Sequence, residues 1–399
     1  MYILILYKVS GKKIEMPKIM VERKNIVRTL RKDTLLKEVG NRPVYLYGAG
    51  YTAKVCLGAL ESEGVTIEAL IDDDIMKQGT TVLSYPVLSY EEFANKCEAE
   101  EGVNVILTSI YGKQIYNRLT DFPNVTVWEM YEWYTELLNQ QEIVIEKYCE
   151  GEKLALYKQN TDALKTYLAD TESGKVLDGI YRYFETRDIR HLVDICTTEE
   201  SYFIHEVKEY FGNREIALVD AGAYEGELFQ AIKTSGVKVK NWYCFELEKS
   251  NFKRLKDNVE KMELPDGFHC ICENLGLWEE RKEFPVVAQG TGSKVQEGNA
   301  EGGEICQVET IDHYFQDIHV DMIKMDIEGA EMKALLGGIK TIQRDKPLLA
   351  ISIYHHVEDY YRIMQFLLEN TVGYQYYIRQ HALIYGETVL YAIPEQPPV

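Results

Sequence analysis

Two stretches of the chain share one rhythm of apolar and polar positions. The first, "RPVYLYGAGYTAKVCLGALESEGVTIEALIDDD" from Arg42, reads as strand, glycine turn, amphipathic helix, second strand and a run of aspartates. "NVILTSIY" and "NVTVWEMY" add two short apolar strands, and "SYEEF" starts a helix before the first of them, so a small parallel sheet is expected. The second stretch opens at Ile216. Strands are predicted at "IALVDAG", "NWYCFEL", "FHCICENLG", "DMIKMDIEG" and "PLLAISIYH", each separated by helical spacing. "YQYYIRQHA" and "ETVLYAIP" are joined by a short turn at Tyr385 and Gly386, which predicts a terminal hairpin in place of another βα step.

Between the two rhythms the pattern is long and helical with few glycines, as in "LALYKQNTDALKTYLAD" and "SYFIHEVKEYF". Four segments are therefore expected: a basic lead over 1–40 that reads as helical, a small Rossmann-like domain over 41–134, a helical connector or cap over 135–214, and a larger α/β domain over 215–399. A length of 399 residues agrees with more than one core.

Composition narrows the partners. A formal net charge of −20 repels a nucleic-acid backbone and leaves small or saccharide-like molecules as the expected substrates. "MYILILYKVS" is too short to span a bilayer and lacks a signal peptide's charged start, so no membrane segment is expected. The eight cysteines show no zinc-type spacing; only Cys270 and Cys272 stand close, on one face of a strand. Free thiols and a reducing cytoplasm are the reading.

The turn "VDAGAYEG" decides the ligand expected in the larger domain. It has Gly222 and Gly226, with Ala223 between, but Tyr224 where a dinucleotide turn places its middle glycine for pyrophosphate contact. Asp220 at the strand end repels phosphate and attracts an ammonium, and Glu246, about 20 residues on, can accept two ribose hydroxyls. Asn274, ending the next strand, is placed with the same set. S-adenosylmethionine carries an ammonium, a sulfonium and no phosphate, and is the expected cofactor.

These pieces, with "FELEKSNFKRLKDNV", "VETIDHYF", "IKMDIEGAEMKALLGG" and "ETVLYAIP" in the same order, resemble the FkbM-type S-adenosylmethionine-dependent methyltransferases. The resemblance implies a seven-stranded class I, Rossmann-like domain and methylation of a hydroxyl, on a sugar or secondary metabolite. That family often has asparagine where this chain has Tyr224.

Period-two spacing in "DMIKMDIEGAE" puts Lys324, Asp326 and Glu328 on one strand face, with Glu331 beyond the turn. Asp326 and Glu328 are expected between cofactor and acceptor. His355, ending the next strand beside His356, is the candidate general base, and an ion pair between Lys324 and a carboxylate is the plainer alternative. Asp326, Glu328 and Glu331 could hold a divalent cation, but no further ligand is visible by spacing and none is expected. "GTGSKVQEGNAEGGE" from Gly290 reads as a lid over the acceptor or a solvated loop.

The first turn satisfies G-x-G-x-x-A at Gly48, Gly50 and Ala53 and leads to Asp72. It resembles the N-terminal Rossmann-like domain of sugar-modifying acetyltransferases, which implies a nucleotide or nucleotide-sugar at that turn; a degenerate module used for packing or dimerisation is the alternative. An NAD-dependent oxidoreductase or epimerase, or a non-catalytic nucleotide sensor, are the competing functions. The oxidoreductase needs a Tyr-x-x-x-Lys pair, which the first domain lacks.

Overall fold

Apolar runs broken by glycine turns build parallel strands buried on both faces, and the computed structural model has two sheets of this kind. It describes residues 28–30, 34–130 apart from 76, 110–114, 116–117 and 120–121, then 133, 151–287 apart from 187 and 189, 294–295, and 304–395 apart from 384. It also describes an antiparallel pair, Lys8–Val9 with Lys12–Lys13.

The first sheet contains β1 (Arg28–Thr29), β2 (Val44–Tyr47), β3 (Ile67–Ile71), β4 (Thr81–Val82), β5 (Tyr85–Leu88), β6 (Val103–Leu107) and β7 (Val125–Glu129), ordered β1-β7-β6-β2-β3-β5-β4. Helices α1 (Leu35–Val39), α2 (Tyr51–Ser62) and α3 (Tyr90–Cys97) accompany it, and Ser89 and Glu92 form a capping box that starts α3. Two elements differ from the sequence reading. The lead is not helical at Arg28–Thr29, which adds a parallel strand beside β7. The β4–β5 hairpin turns through Leu83 and Ser84, both left-handed, a conformation that propensity does not announce for a leucine.

The helical stretch supplies α4 (Glu152–Leu164), α5 (Thr171–Thr186), α6 (Arg190–Ile195) and α7 (His205–Phe211). The second sheet follows as β8 (Glu215–Ala221), β9 (Lys238–Phe245) and β10 (His269–Glu273). A smaller sheet comes next, of β11 (Gly276–Leu277), β12 (Lys282–Val287), β13 (Lys294–Val295) and β14 (Glu304–Glu309). The large sheet resumes with β15 (Met322–Met325), β16 (Leu348–Ser352), β17 (Tyr374–Gln380) and β18 (Thr388–Pro394), giving the order β10-β9-β8-β15-β16-β18-β17. Its first five strands are parallel, and β18 runs antiparallel to both of its neighbours. This is the expected mixed α/β class.

The small sheet was not visible as alternation in the sequence. The glycine-rich stretch read as a lid lies outside the described residues except for β13, which pairs with β12, and Glu304, which begins β14. The helices before β8 do more than connect. The Ser173 hydroxyl accepts the Ile378 N–H at 2.9 Å, and buried Arg379 reaches Asp170 at 2.6 Å and Glu206 at 2.7 Å, so α5 and α7 cover the edge strand β17. An uncovered edge would expose unpaired backbone groups to another chain.

Candidate functional site

Parallel strands in an open α/β sheet aim their C-terminal ends at one crevice. Here the ends of β8, β9, β15 and β16 open into a cleft of about 780 Å³. The β8 turn is held tight against the β15 turn: Gly222 has φ +79°, and a Cβ there would lie 1.9 Å from the Asp326 carbonyl oxygen. Only glycine fits. Tyr202, Tyr224, Glu328 and Glu387 line the same cleft in left-handed conformations, with φ of 67, 48, 57 and 53°. Strained backbone gathers where function constrains it. For Tyr224 it also accounts for the asparagine common in the resembling family, since asparagine tolerates this region best after glycine.

Asp220 is completely buried. Its carboxylate takes Lys324 Nζ at 2.9 Å and the Trp242 Nε1–H at 3.1 Å, and Lys324 also donates to the Gly222 carbonyl at 2.7 Å. Burial, with Asp326 nearby, raises the Asp220 pKa against the opposing pull of Lys324. The expectation that Asp220 draws in a ligand ammonium therefore changes. Its charge is spent inside the protein, where it locks β8 to β15.

Glu246 takes over at the turn. Its Oε2 accepts the Tyr224 N–H at 3.0 Å and its Oε1 the Glu248 N–H at 2.9 Å, Asn251 also interacts with the carboxylate, and Glu246 lines the cleft. Asn274 stands behind it, donating to the carbonyls of Glu246 and Leu247 at 2.8 and 3.1 Å. Ala223 and Gly226 complete the bend, with the Gly226 N–H bonded to the Ala223 carbonyl at 2.8 Å.

Period-two geometry fails beyond Met325, where β15 ends. Lys324 points into the buried pair with Asp220, while Asp326 and Glu328 stand on the following turn. Asp326 accepts the Tyr202 hydroxyl at 2.9 Å and the Tyr354 hydroxyl at 3.3 Å. His355 lies behind this wall. Its Nδ1 meets Glu331 at 2.9 Å, and its Nε2 is 3.4 Å from Asp326 and 3.7 Å from Glu328. Burial alone would lower its pKa, but Glu331, then Asp326 and Glu328, raise it to about 10. A histidine that keeps its proton at neutral pH is a poor base. The surrounding carboxylates favour the protonated form of His355, which weighs against the role expected of it, and one ligand atom each from Asp326, Glu331 and His355 lie within 4.8 Å of one another.

Sequence reasoning missed Tyr202, Tyr354, His381 and Glu387. Tyr202 comes from the helical stretch, and His381 and Glu387 from the ends of the terminal hairpin, far apart in sequence. His381 bonds Tyr391 at 2.8 Å through Nε2, and burial pushes its pKa down to about 4, so it is neutral. Glu199, Glu200, Glu227, Glu246, Asp326, Glu328 and Glu387 line the cleft, and the lysine among its lining residues, Lys324, is already paired.

The chain matches the methyltransferase FkbM domain model over residues 220–376. Residues 220–376 form a methyltransferase FkbM domain. Over 90% of this chain and 92% of the other, the FkbM domain and what precedes it superpose on a methyltransferase FkbM from Methylobacillus flagellatus KT at 20% identity and a TM-score of 0.52, a likeness of fold. An rRNA methylase from Streptococcus thermophilus matches at 14% identity and a TM-score of 0.31, covering 50% of this chain and 99% of its own. No curated protein matches the chain by sequence. Among the described residues no helix is long and apolar enough to cross a membrane.

The first glycine turn offers a different picture from the FkbM domain. Gly48 has φ +109°, and a Cβ there would meet the Ser109 amide nitrogen at 2.6 Å. Gly50 caps α2, and Ala53 is buried inside it. Asp72 does not reach outward toward a ribose: its Oδ2 accepts the Ala49 N–H at 2.7 Å and its Oδ1 the Asp74 N–H at 2.9 Å. The chain's own carboxylate thus occupies a turn N–H that a phosphate would need. Asp73 bonds the Tyr47 hydroxyl at 3.0 Å and pairs with Arg118.

Proposed function

We propose that the protein is an S-adenosylmethionine-dependent O-methyltransferase whose acceptor is an uncharged or cationic hydroxyl compound, such as a saccharide or secondary metabolite. The observation that carries this reading is the acidic cleft, in which a glycine bend, Glu246 and Asp326 meet with no unspent lysine or arginine among the described lining residues. When bound, S-adenosylmethionine supplies a methyl group on a sulfonium. The cradle fits it: Gly222 and Gly226 allow close approach, Glu246 lines the cleft as an acceptor for a ribose hydroxyl, and the carboxylates favour a cationic donor. A dinucleotide pyrophosphate would face Glu246 and Glu227 with no positive partner.

The chain's own contribution is alignment and proton handling. Transfer to an alcohol needs the hydroxyl held in line and relieved of its proton as the new bond forms. Asp326 is the carboxylate at the cleft wall placed to accept that proton. Tyr202 and Tyr354 fix its orientation, and His355 and Lys324 keep the surrounding charge in check. A nucleotide-sugar acceptor is disfavoured by the same lining that favours the sulfonium.

Calorimetry of the full chain against S-adenosylmethionine, S-adenosylhomocysteine and NAD tests the cofactor. Binding of the first two without NAD is expected; NAD as the preferred ligand would overturn the reading. Asp326→Asn should lower methyl transfer by about 100-fold while cofactor affinity stays within a few-fold. Retained turnover would remove Asp326 from proton handling.

A further inference from the structure

Three of the cysteines that look scattered in sequence come together on one face of the large sheet. β9 and β10 are parallel, with Trp242 opposite Cys270 and Cys244 opposite Cys272. Alternation along both strands sends these four side chains to the same side. Cys244 Sγ lies 3.7 Å from Cys270 Sγ, which lies 3.6 Å from Cys272 Sγ, and all three sulfurs are within 4.8 Å of one another. Cys244 is fully buried, whereas Cys270 and Cys272 on the outer strand are half-exposed. Phe229, Trp242 and Phe268 pack together in the same apolar cluster, which keeps water from the inner side.

Thiols are weak donors and weak acceptors, so three of them turned on one another gain little as neutral groups. Around a soft cation the same sulfurs form strong bonds. A tetrahedral site with metal–sulfur bonds of about 2.3 Å places its sulfurs about 3.8 Å apart, close to the spacing already present. The strands fix the ligands beforehand, and the half-exposed pair leaves a path for entry.

We propose that Cys244, Cys270 and Cys272 form a three-sulfur site for one thiophilic d10 ion, zinc(II) or copper(I), with water in the fourth position. Binding releases the thiol protons to solvent as the metal–sulfur bonds form, with no change of oxidation state. The site lies two residues before Glu246 on β9 and two before Asn274 on β10, so an ion there ties together the two strand ends that shape the ribose side of the cleft. The inference stands apart from the identity of the methyl donor.

The test uses the full chain, reduced, desalted and kept anaerobic. Titration with Cd²⁺ should develop a sulfur-to-cadmium charge-transfer band that saturates at one equivalent and is removed by excess EDTA. X-ray absorption of the zinc-loaded protein should show about three sulfurs near 2.3 Å. C270S and C272S, at half-buried positions, should each abolish the one-equivalent band, whereas C97S at the end of α3 should keep it. A band that survives in both variants, a zinc shell of nitrogen and oxygen alone, or a disulfide between two of these cysteines in freshly isolated protein would overturn the proposal.

Discussion

The two glycine turns start from nearly the same sequence grammar and end as different objects. In each, a carboxylate from the end of the next strand reaches back to a turn N–H: Asp72 to Ala49 at 2.7 Å, and Glu246 to Tyr224 at 3.0 Å. At the first turn the remaining charge is met by a half-exposed lysine, Lys77, 3.4 Å from Asp72. At the second, a buried Lys324–Asp220 pair lies under the bend, and a wall of carboxylates and tyrosines faces it across the cleft. A turn motif therefore specifies backbone geometry, and the ligand is chosen by what the rest of the sheet places opposite.

The strongest way to break this comparison is to fill both bends. Gly222→Ala should cost about 4 kcal/mol or more in denaturant unfolding and abolish cofactor binding, because the added carbon meets a backbone carbonyl that cannot rotate away. Gly48→Ala should also destabilise, yet leave S-adenosylmethionine affinity unchanged in calorimetry. If it also removes cofactor binding, the two turns act as one site.

Removing the lysines separates buried from exposed charge. Lys324→Met leaves Asp220 buried without its cation and should cost about 3–5 kcal/mol, read from urea midpoints. Lys77→Met, at a half-exposed pair, should cost under about 1 kcal/mol. Equal losses would show that burial is not what distinguishes the turns.

Proton linkage gives a smaller, signed effect. His355, raised to about 10, and Asp359, raised to about 7 by burial and by Glu331, both bind protons more tightly when folded. A group with a raised folded pKa contributes stability below its unfolded value and loses it as pH climbs through the folded one. Stability should therefore fall from about pH 4 to 7 through Asp359 and from about pH 6.5 to 10 through His355. His355→Gln should flatten the upper limb of a pH series of unfolding midpoints; an unchanged slope would contradict the ion-pair assignment. The first turn has no comparable buried titrating cluster among the described residues.

The smallest effect is expected at Asp72. Asp72→Ala frees the Ala49 N–H, and nucleoside phosphates should then raise the melting temperature by a degree or two where the unmodified protein shows no shift. A clear shift in the unmodified protein would restore a nucleotide role to the first turn.

The mixed α/β class, the parallel strands, the reversed last strand and both turns were legible in the sequence because alternation and glycine placement report them locally. The β4–β5 hairpin and the small sheet were not, since left-handed leucine and serine and short charged strands carry no such signal. Within the cleft, Gly222, Glu246 and Asp326 could be named from their strand ends. Tyr202 and Glu387 could not, because nothing local links a helical stretch or a hairpin end to the β15 turn. Cys244 was likewise invisible as a partner of Cys270 and Cys272 until strand register put them side by side.

By itself the sequence determined where strands end and where the chain bends, because those depend on a few neighbouring residues. Only the tertiary structure decided which charges are spent and which remain available. Asp220 is paired with Lys324, and His355 is held among three carboxylates, because the free energy of a charge is set by every group packed around it and not by its position in the chain.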